Sequence, residues 1–134
     1  METITLTQTQ KQILCNHAES ENPNEACAII FGTKKDEDFS VEKIFLTENT
    51  EKSPVNFTIS AEQILEADRM ERNLSLKIIG IFHSHPNSQA YPSETDKKFM
   101  DLNPVIWIIY SGTSKEFKAF RLESTIKEVR LEII

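Results

Sequence analysis

Three short apolar runs constrain this chain more than any other feature: residues 25–31 (Glu-Ala-Cys-Ala-Ile-Ile-Phe), 76–85 (Leu-Lys-Ile-Ile-Gly-Ile-Phe-His-Ser-His) and 104–110, which holds Val105 to Tyr110. Each is strand-sized, and none alternates polar with apolar residues as a half-exposed strand would. Strands of this kind are buried on both faces and lie centrally in a sheet. The segments between them supply the covering layers. An alternating stretch at residues 2–6 leads to a helix over about Thr7 to Ser20, with Ile13, Leu14, His17 and Ala18 on one face and Asn22-Pro23-Asn24 as its stop. Residues 40–47 read as a second strand. Thr47 to Asn56 forms a polar loop. Ser60-Ala-Glu-Gln63 is a capping-box pattern opening a helix to about Asn73, whose Ile64, Leu65 and Met70 are available for the core. Ser93 is an N-cap for a short helix over 94–101, and strands follow at 104–110, 116–122 and 126–133. The expectation is one α/β domain over residues 1–134, with a mixed sheet, two longer helices and one short one.

What the chain cannot be follows from scarce residue types. Only three glycines occur in 134 residues, Gly32, Gly80 and Gly112. They lie too far apart to build a glycine-rich phosphate loop, which excludes the dinucleotide fingerprint and the P-loop. Gly80 lies three residues before His83 on the opposite pleat, where it is expected to leave room for a packed helix. Two cysteines, Cys15 and Cys27, match no structural zinc pattern and permit at most one disulfide. The first residues, Met1-Glu2-Thr3-Ile4-Thr5, do not read as a signal peptide, and no apolar run approaches the roughly 20 residues that cross a bilayer. The expected compartment is therefore cytoplasmic, with reduced thiols and no membrane partner. The formal net charge is −6, and the basic residues are scattered, so no nucleic-acid partner is expected either.

One cluster of residues carries chemistry. His83 and His85 stand two apart on a strand, so both imidazoles leave the same face, with Cα atoms about 6.5–7 Å apart. That spacing lets both reach one ion, although a His-x-His pair alone can equally be packed or solvated. Asp96 falls in the first turn of the helix capped by Ser93. Its carboxylate can return to the imidazoles as a third ligand, leaving a fourth tetrahedral position open as in catalytic zinc sites. It can also simply complement the helix dipole, and one of these is expected to be its main role. Glu25 is the candidate general base. The residues leave open whether it faces a cation at a strand end or lies exposed in the turn after Pro23. Cys27 reads as a small core residue, His17 as packing or surface, and Trp107 and the phenylalanines as core.

At these positions the sequence resembles the MPN/JAMM metalloprotease family. His83-Ser84-His85 is followed by seven residues, then Ser93, Glu94-Thr95 and Asp96, and Asn22-Pro23-Asn24-Glu25-Ala26-Cys27 looks like the family's segment around its catalytic Glu. One departure is Ala28, where small prokaryotic members often have Gly. The resemblance implies a stand-alone, desampylase-like domain with cytidine-deaminase-like layers and one Zn2+ ion bound by His83, His85 and Asp96. It implies that Glu25 activates the zinc-bound water, that Ser93 stabilises the oxyanion, and that Pro86 shapes the turn. The implied substrates are conjugates of a ubiquitin-like protein, cleaved at isopeptide or C-terminal peptide bonds. Two alternatives are a hydrolase releasing an amino acid from a sulfur-carrier protein and a non-catalytic scaffold. The scaffold reading would expect motif residues to be lost, and a zinc deaminase would need H-x-E with P-C-x-x-C, which is absent. A homodimer is left open. The loop Thr47 to Phe57, beside a sheet edge, is expected to bind an extended tail by strand addition, so that trimming it raises KM more than it lowers kcat.

Overall fold

Helix starts are fixed by side chains that satisfy free amides, and their positions set the layout. In the computed structural model, which describes residues 1–134, the elements are β1 (Thr3–Leu6), α1 (Gln8–Glu21), β2 (Cys27–Lys35), β3 (Asp38–Thr47), α2 (Ala61–Leu74), β4 (Lys77–His85), α3 (Glu94–Leu102), β5 (Ile106–Ser111), β6 (Phe117–Leu122) and β7 (Ile126–Ile133). Thr7 and Gln10 form a full capping box at α1. Ser60 caps α2 through the Gln63 amide, but the Gln63 side chain turns away to accept from the Glu48 N–H at 2.8 Å. Only half of the expected box forms there, because the other half anchors a loop.

The seven strands form one mixed sheet in the order β1-β3-β2-β4-β5-β6-β7. The mixed sheet and three helices are as expected, but the sheet closes into a barrel where layers were expected. Closure depends on four residues: β1 pairs in parallel with β3 through Thr3–Thr5 and with β7 through Thr3–Leu6. β1 covers β3 only at Asp38–Ser40, so the half of β3 that runs into the following loop is laddered to β2 alone and keeps an open edge beside that loop.

The apolar runs are buried on both faces, as their composition required. One cluster takes residues from every strand together with Leu14 and Ala18 of α1, so the sheet wraps that helix. Along β5, Ile106 and Ile108 join this cluster, while Trp107 and Ile109 pack with Met100 of α3. Along β2, Ala28 and Ile30 face α1, while Ile29 and Phe31 pack with Ala67 of α2. α2 docks through Ala67, with Met70 beside it. Ile64 and Leu65 remain 54% and 57% exposed, contrary to expectation. A small residue lets the helix sit close to the sheet, which turns Ile64 into an apolar groove shared with Phe57, Ile81, Phe99 and Trp107. Gly80 is also explained differently than expected: a Cβ there would lie 2.8 Å from the Ile106 carbonyl oxygen, so the close neighbour is strand β5 and not a helix.

No helix is long and apolar enough to cross a membrane.

Candidate metal centre

β4 is held between β2, antiparallel, and β5, parallel, and its last three residues carry the site. The pleat sends His83 and His85 to one face and Ser84 to the other. There the Ser84 hydroxyl accepts from the Ala26 N–H at 2.8 Å, and the Ser84 N–H donates to the Ala26 carbonyl at 3.0 Å. The chain leaves β4 through Pro86 and returns in α3, whose first turn delivers Asp96. Nε2 of His83 and Nε2 of His85 lie 3.0 Å apart, and each lies 3.0 Å from Asp96 Oδ2. All three residues are at most 5% exposed.

The same Asp96 oxygen accepts the Ser93 N–H at 2.9 Å, and the Ser93 hydroxyl accepts the Asp96 N–H at 3.0 Å. The helix cap and the cluster are therefore one structure, and the expected choice between them does not arise. Ser93 itself stays exposed at the N-cap, with its hydroxyl hydrogen uncommitted.

The donor set fits a cation. His85 Nδ1 lies 2.8 Å from the Gln89 carbonyl oxygen, so this nitrogen is the donor and Nε2 of the neutral ring carries a lone pair. Complete burial pushes the His83 imidazole below its ordinary value and favours its neutral form. For Asp96, burial works against ionisation, but hydrogen bonding to His83 and His85 outweighs it and holds the carboxyl well below the usual range. For His85, burial is outweighed by Asp96 and the Gln89 carbonyl, and its value is raised. Without an ion, protons on the imidazoles bridge to the carboxylate; once those protons are displaced, electron pairs from three residues converge within 3.0 Å on one point, where a cation fits. His83, His85 and Asp96 could hold a metal ion, and two imidazoles with one carboxylate suit Zn2+.

Several residues that the sequence assigned elsewhere bear on this cluster. His83 Nδ1 has no hydrogen-bond partner, so its ring is oriented by packing instead. Phe57 stacks on it with ring centroids 5.0 Å apart and planes at 28°, and Trp107 meets it edge-on at 5.7 Å. By composition alone both are plain core residues. Their role depends on a loop conformation and a strand register that no local pattern encodes. His17 is not idle packing: Nε2 lies 3.0 Å from the Cys27 carbonyl oxygen and 3.2 Å from that of Thr47, tying α1 to β2 and β3. Cys27 is fully buried and pairs with His83 across the strands, and its sulfur accepts the Thr47 hydroxyl. Burial pushes its thiol up to about 11, the mark of an inert core thiol.

Glu25 does not open β2 but stands two residues before it. It is 3% exposed and Oε1 has no partner, which resolves the turn-or-buried ambiguity in favour of burial. Burial pushes its carboxyl from 4.5 up to about 8; His85 opposes the rise, while Asp96 and Glu51 add to it. An unfolded chain would have lost this proton by pH 4.5, whereas the fold retains it to about 8, so unfolding releases a proton between those values. Stability present below pH 4.5 should therefore decline as pH rises toward 8, by up to roughly 1.4 kcal/mol per pH unit. Thermal melts of chelator-treated protein should show the decline, and Glu25→Gln should flatten it. Parallel declines in both proteins would exclude Glu25 as the source.

Comparison with known proteins agrees with this geometry. A family described as prokaryotic homologs of the JAB domain matches residues 7–123. The desampylase of Pyrococcus furiosus is 33% identical over 116 residues, covering 85% of this chain and 79% of that protein. The CysO-cysteine peptidase of Mycobacterium tuberculosis is 30% identical over 82 residues, 61% of this chain and 55% of the peptidase. A protein from Desulfitobacterium hafniense, solved in solution, superposes with a TM-score of 0.88 at 30% identity, over 98% of this chain and 92% of that one. The family match spans both the Glu25 segment and the His83 to Asp96 cluster, and with it the chain belongs to the prokaryotic JAB-domain family.

Proposed function

We propose that this protein is a zinc-dependent isopeptidase that hydrolyses isopeptide or C-terminal peptide bonds of ubiquitin-like proteins. The observation that carries the reading is a buried triangle of His83, His85 and Asp96 donors coupled to a buried, unpartnered Glu25. The relatives named desampylase and CysO-cysteine peptidase support a peptidase acting on small carrier or modifier proteins.

His83, His85 and Asp96 would hold one Zn2+ ion, which supplies Lewis acidity to polarise the scissile carbonyl and acidify the attacking water. Glu25 is the base. Its Oε1 accepts no hydrogen bond from the protein, and a cation held by His83, His85 and Asp96 would offset the burial that keeps this carboxyl protonated to about pH 8, leaving it free to take a proton from water. The same carboxyl then delivers that proton to the leaving amine. Ser93 keeps a hydroxyl hydrogen to donate where negative charge develops on the carbonyl oxygen. Cleavage adds one water across the C–N bond, leaving a free carboxylate and a free amine. The groove of about 330 Å³ between α2 and α3 includes Phe57 and Trp107, which both flank His83. Apolar parts of the substrate can settle there beside the bond to be cut.

The test is direct. Zinc-loaded protein should release a ubiquitin-like protein from a lysine isopeptide conjugate prepared from its own source, and a chelator should stop the release. A second arm offers a sulfur-carrier protein bearing a C-terminal amino acid, the alternative that the CysO-cysteine peptidase relative supports. Product masses separate the two readings, and cleavage of neither substrate would overturn both.

A further inference from the structure

The last strand pair before the site ends short of Glu25, so no ladder fixes the proposed base. β2 begins at Cys27, and residues 25 and 26 lie outside it. What holds Glu25 instead is the loop between β3 and α2. The Glu25 N–H donates to the Ser53 carbonyl at 2.8 Å. The Glu25 carbonyl accepts from Nδ2 of Asn49 at 3.0 Å.

Asn49 is 4% exposed in a loop that is otherwise mostly polar and open to solvent. Its amide is fully used. Nδ2 also donates to the Asn56 carbonyl at 3.0 Å and, at 3.5 Å, to that of Ser53, and Oδ1 accepts the N–H groups of Glu51 at 3.1 Å and Thr58 at 3.2 Å. Two donor hydrogens and two acceptor lone pairs exhaust the bonding capacity of a primary amide. Only Asn supplies both halves at this reach: Asp would turn an oxygen toward two carbonyls, and Ser would be too short. These bonds join Glu25 to residues 51, 53, 56 and 58, and Phe57, between the last two, stacks on His83. One buried amide therefore links the segment that carries the base to the segment that orients a metal-candidate histidine.

We infer that Asn49 is a positioning residue: it sets where Glu25 stands relative to His83 without touching the substrate. Its kinetic consequence rests on the isopeptidase reading above. It also revises the expectation for the loop. Trimming residues 48–57 removes the Glu25 clamp, so kcat should fall and not KM alone.

The experiment compares wild type with Asn49→Asp and Asn49→Ala in the full chain. Steady-state cleavage of the ubiquitin-like conjugate is measured zinc-loaded, zinc affinity by titration, and amide exchange on the metal-free protein. Both variants should lose at least tenfold in kcat, with KM within twofold and zinc affinity within threefold of wild type. The Glu25 amide should exchange at least tenfold faster in each. Asn49→Asp preserves shape and acceptor bonds, so it is the variant to read if Asn49→Ala does not fold. Unchanged kcat, or a loss wholly accounted for by KM or zinc affinity, would overturn the inference, as would a Glu25 amide as protected in Asn49→Asp as in wild type. If wild type cleaves no conjugate, the functional reading fails, and the exchange data still decide whether Asn49 fixes this segment.

Discussion

Glu25→Gln should lower kcat by a factor of about 10²–10⁴, the range over which a positioned general base contributes, while one zinc ion per chain stays bound. Glutamine is nearly isosteric. The backbone bonds of residue 25 to Ser53 and Asn49 do not involve its side chain, so the segment should keep its path. None of the three donors that converge on one point is altered. What is lost is a basic oxygen. The same substitution should make the metal-free protein more stable at pH 8, because it removes a carboxyl that burial already holds at about 8. Loss of activity together with a gain in stability is the signature of a group kept for chemistry at a cost to the fold. Glu25→Ala should be equally inactive. Turnover, zinc content and melting temperature measured on the same samples decide the matter: near-complete activity in either variant would remove Glu25 as the base, and loss of zinc would make it a structural support of the metal.

How much of this was readable beforehand depends on whether the determinant was local. Two residues apart on a strand means one face, so the His83 and His85 geometry was carried by the pleat. Ser93 and Asp96 were carried by the chemistry of a helix cap, although the sequence did not show that one carboxylate oxygen can serve cap and cluster together. The apolar runs fixed which strands are covered on both faces. Other features depended on contacts between distant residues. β1 is only four residues long, and nothing in its alternation says that it pairs on both sides and closes the sheet. Of the expected Ile64, Leu65 and Met70, only Met70 packs against the sheet, beside the buried Ala67, because the face that α2 turns inward is set by its docking on Ile29 and Phe31 of a strand distant in sequence. Asn49 looked like one polar residue in a polar loop. Its partners, at residues 25, 51, 53, 56 and 58, become neighbours only after the loop has folded. Phe57 belonged to the same blind spot, since a phenylalanine that orients a histidine has the composition of any core phenylalanine.

Asp96 is where metal binding and folding separate most cleanly, because one oxygen serves both. Asp96→Asn retains an amide oxygen that can accept the Ser93 N–H, so the α3 cap should survive, although the metal-free fold gives up the stabilisation that His83 and His85 provide to the ionised carboxyl. It removes the negative charge facing two imidazoles. Zinc affinity should fall at least about 100-fold, beyond the 10- to 100-fold typical of losing a group behind the ligands, and cleavage should cease at ordinary zinc concentrations. Asp96→Ala also leaves the Ser93 N–H without its acceptor, although the Ser93 hydroxyl still accepts the backbone N–H of residue 96, and its metal-free form should be less stable than that of Asp96→Asn by about 1 kcal/mol. In wild type, free zinc at 100 times its dissociation constant should add about 2.7 kcal/mol, a rise of roughly 10 °C in melting temperature for a domain of this size. Neither variant should show that rise at the same zinc concentration. Equal zinc stabilisation in wild type and Asp96→Asn would mean that the ion binds elsewhere. In that case the convergence of His83, His85 and Asp96 would be a protonated hydrogen-bond network: His85, raised by Asp96 and the Gln89 carbonyl, would carry a proton that bridges to the carboxylate.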